Sequence, residues 1–409
     1  MDSDWYRGQV IFLTGATGNL GGCLLYKLSL KLPTSKIFVL VRGSIRQAVE
    51  KWEHFMPEQV DDILDTGKVN FMVGDMTQPD LALSATDLEL LKQEVTVVIN
   101  SAGDISLHQS LSETILPNCT AHLTLTTILA GFTRLQCFLQ ISTTYVNSFL
   151  PDGSIEERIY PLHPNPIVEL DTIIATGKSA ATDQFAAPYA LAKHLAERLI
   201  LDGGHAFPIL IVRPSFIAPA IQDPYPLYGR DGATPAHSFI HLILGNRNHG
   251  LLQLEETLPT HPICDEIPVD LVAIVCLAHL AQGTTGIVHA AADLYATWTC
   301  GEMGNRFHRH IPREVKEDAQ KIEFQQSHSL APYFFQMIQR FWRDWKIDCA
   351  RSSHLKQLKG PLGLDLGDHD PEAFLKRRVE RQSKLAHSWL KRGALPFENG
   401  SLYSRHLNE

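Results

Sequence analysis

The stretch Val10-Ile11-Phe12-Leu13-Thr14-Gly15-Ala16-Thr17-Gly18-Asn19-Leu20-Gly21 decides the fold. Four apolar residues lead into a glycine-rich turn. Asn19–Leu32 follows, with Leu20, Leu24, Leu25 and Leu28 on one helical face. A glycine pattern alone matches many sequences by chance. A strand running in and an amphipathic helix running out make it specific for a turn that cradles a pyrophosphate. Gly15 permits the tight turn, Gly18 lets the backbone approach the phosphates, and Gly21 lets helix and strand pack closely. The helix start adds free N–H groups and a partial positive charge. Thr14, Gly15, Thr17, Gly18, Asn19, Leu20 and Gly21 are therefore the expected dinucleotide-binding residues of this turn.

Outward from this unit the alternation repeats. Ile37–Val41, Val69–Val73, Val95–Asn100, Cys137–Ile141 and Ile209–Val212 are short apolar runs without polar alternation, the pattern of strands buried on both faces of a parallel sheet. The fold class expected is α/β, a doubly wound parallel sheet of the Rossmann kind. A further strand and helix are expected at Ile263–Ile267 and Val269–Ala281, and a last strand at Ile287–Ala290. Residues 1–300 are read as the dinucleotide-binding domain, with substrate-site insertions at about 147–188 and 215–262. Residues 301–409 are read as a smaller, mainly helical substrate-binding part without strands, with helices at Leu330–Trp345 and Pro371–Lys391.

Strand ends of such a sheet line the ligand crevice. The second ends in Val41-Arg42-Gly43-Ser44, with no acidic residue for a ribose 2′-hydroxyl. The Arg42 guanidinium suits a 2′-phosphate, so NADP(H) is the expected cofactor. Asp75 and Met76 follow the third strand, where Asp75 would meet the adenine amino group, and Ser101 and Ala102 follow the fourth, where small residues let a cofactor lie against the backbone.

Tyr189 and Lys193 stand four residues apart, on one face of a helical pattern that continues through Leu195 and Leu199. A phenol at about pKa 10 is a poor acid–base group near neutrality, and an adjacent ammonium favours its ionised form. Lys193 would also hydrogen-bond the nicotinamide ribose. Ile141-Ser142-Thr143-Thr144-Tyr145-Val146-Asn147 closes the fifth strand and offers a hydroxyl for a substrate carbonyl, Thr143 first and Thr144 as the alternative.

These motifs resemble the extended short-chain dehydrogenase/reductases. Within them the chain is similar to fatty acyl-CoA reductases of the male-sterility type and to thioester reductase domains. The likeness is carried by Thr14–Gly21, Ile141–Asn147, Glu156-Glu157-Arg158-Ile159-Tyr160-Pro161, Tyr189–Glu197, Val212–Ser215 and Ile267–Asp270 over roughly residues 8–290. The resemblance implies catalytic roles for Thr143, Tyr189 and Lys193, cofactor roles for Gly15, Gly18, Gly21 and Arg42, and places Pro214 and Ser215 near the nicotinamide. It implies NADPH-dependent reduction of an acyl thioester to an aldehyde, or onward to an alcohol. The substrate is an acyl-CoA or a carrier-protein thioester. A ketone or sugar-nucleotide reductase, or an NADP sensor without catalysis, are the competing functions.

Charge and composition bound the partners. A net charge of -9 does not invite nucleic acid. No run reaches the about 18–20 apolar residues of a membrane helix, and no secretory signal is legible at Met1–Arg7. Seven scattered cysteines without a CxxC pair suit a reducing, cytoplasmic setting. His237 and His241 share helical spacing, but no third ligand or acidic base completes a metal pattern. Leu330, Phe334, Met337, Ile338, Phe341 and Trp345 form an apolar stripe, either core or one wall of an acyl pocket. Lys376, Arg377, Arg378, Arg381 and Lys384 read as a solvated face, with a landing site for a coenzyme A or carrier phosphate as the sharper alternative.

Overall fold

The computed structural model describes residues 3–107, 109–162, 165–229, 260–319 and 340–391, together with His237, Ile240 and Leu244. In chain order its strands are β1 (Val10–Thr14), β2 (Lys36–Val41), β3 (Val69–Val73), β4 (Val97–Asn100), β5 (Cys137–Ile141) and β6 (Gly153–Ile155). After these come β7 (Ile209–Pro214), β8 (Phe216–Ala218), β9 (Glu266–Pro268), β10 (Gly286–Ala290) and β11 (Trp345–Ile347).

Seven of them form one parallel sheet in the order β10-β7-β5-β4-β1-β2-β3. Chain order reverses between β1 and β4, and the glycine-rich turn leaves the carboxyl end of β1 at that switch. Apolar side chains leave the strands on both faces. Ile11, Leu13, Val39 and Ile99 enter one core, and Phe12, Phe38, Val98 and Phe138 the other. That two-sided burial is why the runs lack polar alternation.

The first helix is regular over Asn19–Tyr26 and then widens into a π-helical turn, Lys27–Lys31, rather than running evenly to Leu32. Lys27 is buried there and its ammonium reaches the Asp223 carboxylate at 2.8 Å.

Three expectations change. The strand expected at Ile263–Ile267 is only Glu266–Pro268, because Ile263 instead forms an isolated antiparallel bridge with Thr299, held by Cys264 N–H to the Trp298 carbonyl at 2.9 Å. The part beyond residue 300 is not free of strands: β11 pairs in parallel with β6. Trp345 ends the expected helix Leu330–Trp345, yet it opens that strand; residues 330–339 lie outside the described residues. Trp345 and Ile347 are buried and Lys346 is exposed, a period of two hidden beneath a helical spacing, and the indole N–H donates to the Pro151 carbonyl at 3.1 Å.

The third change concerns the basic helix Pro371–Lys391. Lys376, Arg377 and Lys384 are exposed, but Arg378 turns inward. Its guanidinium forks onto the Glu266 carboxylate and donates from Nε to His237 Nε2 at 2.8 Å. A fork to a strand carboxylate answers the cost of burying a guanidinium. His237 is thus a buried acceptor, while His241 lies outside the described residues.

Phe341, Trp345, Ile347, Leu355 and Leu362 join the core that Ile11 and Leu13 enter. Met303, Phe307, Val315, Leu375 and Val379 form a separate small helical core. Among the described residues no helix is long and apolar enough to cross a membrane.

Candidate active site

Backbone builds the first half of the site. Gly15 has φ 74°, and a Cβ there would lie 2.6 Å from Ala102 N. A Cβ on Gly21 would lie 2.1 Å from the Gly15 carbonyl oxygen and 2.8 Å from Ser101 Oγ, so the helix sits as close to the turn as glycine permits. The end of β4 clasps the turn: Ser101 Oγ donates to the Thr14 carbonyl at 2.7 Å, and Ala102 N–H donates to Thr14 Oγ1 at 3.3 Å. Gly18 caps the helix without a side-chain acceptor, so the first-turn N–H groups have none from the cap. Asn19 Oδ1 is buried beside them without a partner, and Thr17 and Asn19 are half-buried at the opening while Leu20 is buried in the core. The free amides and a cradle that a Cβ on Gly15 or Gly21 would fill together fit a dinucleotide's phosphates.

Arg42 is exposed at the end of β2. The Asp75 carboxylate accepts from Thr77 N–H at 2.9 Å and Thr77 Oγ1 at 2.8 Å. Burial pushes Asp75 up, but the two Thr77 bonds and the Arg42 charge together hold it below the usual carboxylate range. Arg42 and Asp75 therefore share one end of the crevice, with half-buried Met76 packed against the core behind them.

Side chains build the second half. Tyr189 and Lys193 lie on the helix Pro188–Asp202, which begins with proline in its first turn. Lys193 Nζ donates to the Ile141 carbonyl at 3.2 Å, which brings this helix face to the end of β5, two residues before Thr143. A Cβ on Gly103 would be 3.3 Å from Lys193 Nζ and 3.0 Å from Asn118 Oδ1. Thr143 is buried and its Oγ1 accepts from Tyr145 N–H at 3.3 Å, which leaves its hydroxyl proton for another acceptor. Thr144, the alternative, is fully buried with Oγ1 unpartnered. Pro214 and Ser215 leave the end of β7, both buried, with Ser215 N–H donating to the Ala290 carbonyl at 2.9 Å.

Burial lowers Lys193 to about 8, with Glu197 and Cys119 acting the other way. The Tyr189 phenol moves up, driven by burial and then by the Asp104 and Glu197 carboxylates. This differs from the sequence expectation of a phenol drawn down by the ammonium. Desolvation of the phenolate dominates, so Tyr189 rests as a protonated donor.

Three further features have little or no sequence signature. Asn118, buried in the π-helical turn Leu116–Thr120, accepts from Asp104 N–H at 3.1 Å and donates to the Asp104 carbonyl at 2.8 Å. Glu197, one turn beyond Lys193, takes Arg213 Nε at 2.9 Å and 3.1 Å, both residues being buried; its i, i+4 spacing from Lys193 is the signal that was present. The Tyr145 ring meets Phe216 at 4.7 Å, Phe341 at 5.1 Å and Trp345 at 6.0 Å between ring centres, an aromatic wall two residues beyond Thr143.

Several known proteins are similar to this chain. The putative fatty acyl-CoA reductase CG8306 of Drosophila melanogaster is 28% identical over 290 residues, covering 66% of this chain and 54% of that protein. Fatty acyl-CoA reductase 1 of Mus musculus is 27% identical over 290 residues, covering 67% and 55%. The chain spans about half the length of these curated relatives. Among solved structures, the terminal R domain from the myxalamid PKS-NRPS biosynthetic pathway superposes with a TM-score of 0.65 at 18% identity, covering 94% of this chain and 91% of that one. Gre2 of Candida albicans, solved in complex with NADPH, gives a TM-score of 0.58 at 13% identity, covering 93% and 99%. These structures show the extended short-chain dehydrogenase/reductase fold. The NAD-binding family described as Male sterility protein matches residues 13–276, and the chain belongs to it.

Proposed function

We propose that this chain reduces an acyl-CoA thioester with NADP(H), and that Thr143, Tyr189 and Lys193 are its catalytic residues. The observation that carries the reading is the buried Lys193 ammonium on the Ile141 carbonyl, which sets Tyr189 and Thr143 at one strand end beside the dinucleotide cradle. Support also comes from the relatives whose names are fatty acyl-CoA reductases.

NADPH would be held by Thr14–Gly21, Arg42, Asp75, Met76, Ser101, Ala102, Lys193, Pro214 and Ser215, and supplies a hydride when bound. Thr143 and Tyr189 donate to the thioester carbonyl oxygen as negative charge develops on it. Tyr189, resting protonated, gives its proton to that oxygen, and Lys193 stabilises the phenolate left behind. The hemithioacetal then collapses to an aldehyde and a free thiol, and a second reduction would take the aldehyde to an alcohol. The aromatic wall of Tyr145, Phe216, Phe341 and Trp345 would line the acyl side, so residues 301–409 contribute to the substrate part while residues 1–300 hold the cofactor.

The test is NADPH oxidation against a panel of acyl-CoA thioesters, with thiol and carbonyl products measured. One NADPH per thiol means aldehyde and two mean alcohol. Tyr189→Phe is expected to lower kcat by about 10²–10⁴ with dinucleotide affinity retained. Full activity in that variant, or NADPH oxidation without thiol release, refutes the reading.

A further inference from the structure

Three polar side chains lie in register at the carboxyl ends of three neighbouring strands of the sheet. Thr14 of β1 is the Cα partner of Asn100 of β4, and Asn100 is the Cα partner of Gln140 of β5. Their exposures are 0%, 0% and 1%, so none of them is a surface residue. Burying an amide without partners is costly, so such a row persists only if it is satisfied.

It is satisfied in one direction. The Thr14 hydroxyl donates to Asn100 Oδ1. Asn100 Nδ2 donates to Gln140 Oε1 at 2.8 Å, and Gln140 Nε2 donates to the Ile141 carbonyl at 2.7 Å. The same carbonyl oxygen accepts Lys193 Nζ at 3.2 Å. One acceptor thus takes two donors, the amide of Gln140 and the ammonium of Lys193. Aligned hydrogen bonds polarise one another, so the row transmits order better than its separate bonds would. Its far end is the residue whose carbonyl and hydroxyl are clasped by Ser101 and Ala102 at the glycine-rich turn.

We propose that Gln140 is a positioning residue: it holds the Ile141 carbonyl against the Lys193 ammonium and, through Asn100 and Thr14, ties that ammonium to the seat of the dinucleotide turn. This rests on the reading of Lys193 as catalytic. Gln140 touches neither substrate nor cofactor and acts through Lys193. The ammonium has other ionisable neighbours from each packed element: Glu197 and Tyr189 on its own helix, Cys119 and His122 on the neighbouring helical segment, and Asp104 in the loop after β4, which faces Tyr189. None of these changes when Gln140 is replaced, so a shift in Lys193 titration isolates the row.

Two variants of the full chain test it. Gln140→Leu removes one of the two donors that fix the Ile141 carbonyl, so the carbonyl is no longer held against the ammonium and supports its charged form less. Gln140→Glu also places a carboxylate beside that carbonyl. Lys193 titration is read from the pH dependence of its acetylation by acetic anhydride, quantified by peptide mass spectrometry, which needs no substrate. The midpoint is expected to fall in Gln140→Leu and to rise in Gln140→Glu, with kcat for the thioester about tenfold lower in Gln140→Leu at unchanged KM. A midpoint that stays put in both variants, with only a loss of melting temperature, makes Gln140 merely structural and overturns the proposal. A midpoint that moves while no thioester is reduced by wild type upholds the row and refutes the reaction instead.

Discussion

At the β1–β4 end of the crevice, Gly15 and Gly21 bring backbone to within distances no side chain would allow. At the β5–β7–β10 end the parts are held by buried charge: Glu197 and Arg213 are each at most 1% exposed. Arg213 is the hub of the second end. It forks onto Glu197, donates to the Arg158 carbonyl at 3.0 Å, and lies 3.4 Å from His289 Nε2. Burial and then the Arg213 charge pull His289 down to about 3, so its ring stays neutral. The two ends should therefore fail differently. The backbone end tolerates changes of charge but not of bulk, and the charged end tolerates changes of bulk but not of charge.

The largest effect belongs to the charged end. Arg213→Met strands the Glu197 carboxylate in the interior and should cost about 3–5 kcal/mol of stability, read by denaturant unfolding. Pairing it with Glu197→Leu should recover most of that loss, because the carboxylate that Arg213 compensated is removed with it. If the double variant is no more stable than the single one, burial of charge is not what holds this end. The next effect belongs to the backbone end. Gly21→Ala must displace the Gly15 carbonyl, which a Cβ would approach to 2.1 Å. It is expected to cost about 1–3 kcal/mol and to weaken dinucleotide binding about tenfold or more in a fluorescence titration. Unchanged affinity would mean that the turn has slack the distances deny. A third, smaller effect asks which nucleotide the cradle reads. Arg42→Ala should lower NADPH affinity about tenfold and leave NADH untouched. Equal losses for both would remove the 2′-phosphate reading.

The same contrast explains what the sequence made legible. The sheet strands read out nearly to the residue because two-sided burial writes an unbroken apolar run, as in Val10–Leu13 and Ile37–Val41. The glycine-rich turn read out because its requirements are local in the chain. The charged end did not. Arg378 has the sequence surroundings of a surface residue, and its partner Glu266 is 112 residues away. Arg213 likewise looks like any strand-end arginine until Glu197 is brought beneath it. Trp345–Ile347 was missed as a strand because three residues carry a single alternation, and its pairing partner Gly153–Ile155 lies far upstream. Gln140 gave no signal at all, because one amide inside an apolar run looks like an interruption rather than one member of a row across three strands.

The smallest effect probes where the two ends meet. Lys193 sits between them with its ammonium drawn down to about 8, mainly by burial. In the mechanism proposed above its charged form stabilises the phenolate of Tyr189, so activity should follow the protonated fraction. That fraction falls only about twofold between pH 7 and pH 8, about fivefold from pH 8 to pH 9, and then about tenfold for each further unit. The linkage to stability runs the other way. The unfolded chain holds this proton to about pH 10.4, so between pH 8 and that value it binds more protons than the folded one, and stability should rise with pH as the buried charge is relieved. A single titration should therefore weaken catalysis while strengthening the fold. Lys193→Arg, which keeps its charge throughout, should lose both trends together. If kcat keeps its alkaline limb in that variant, the limb belongs to another group, and the lysine is not where the backbone-built and charge-built halves of the site are joined.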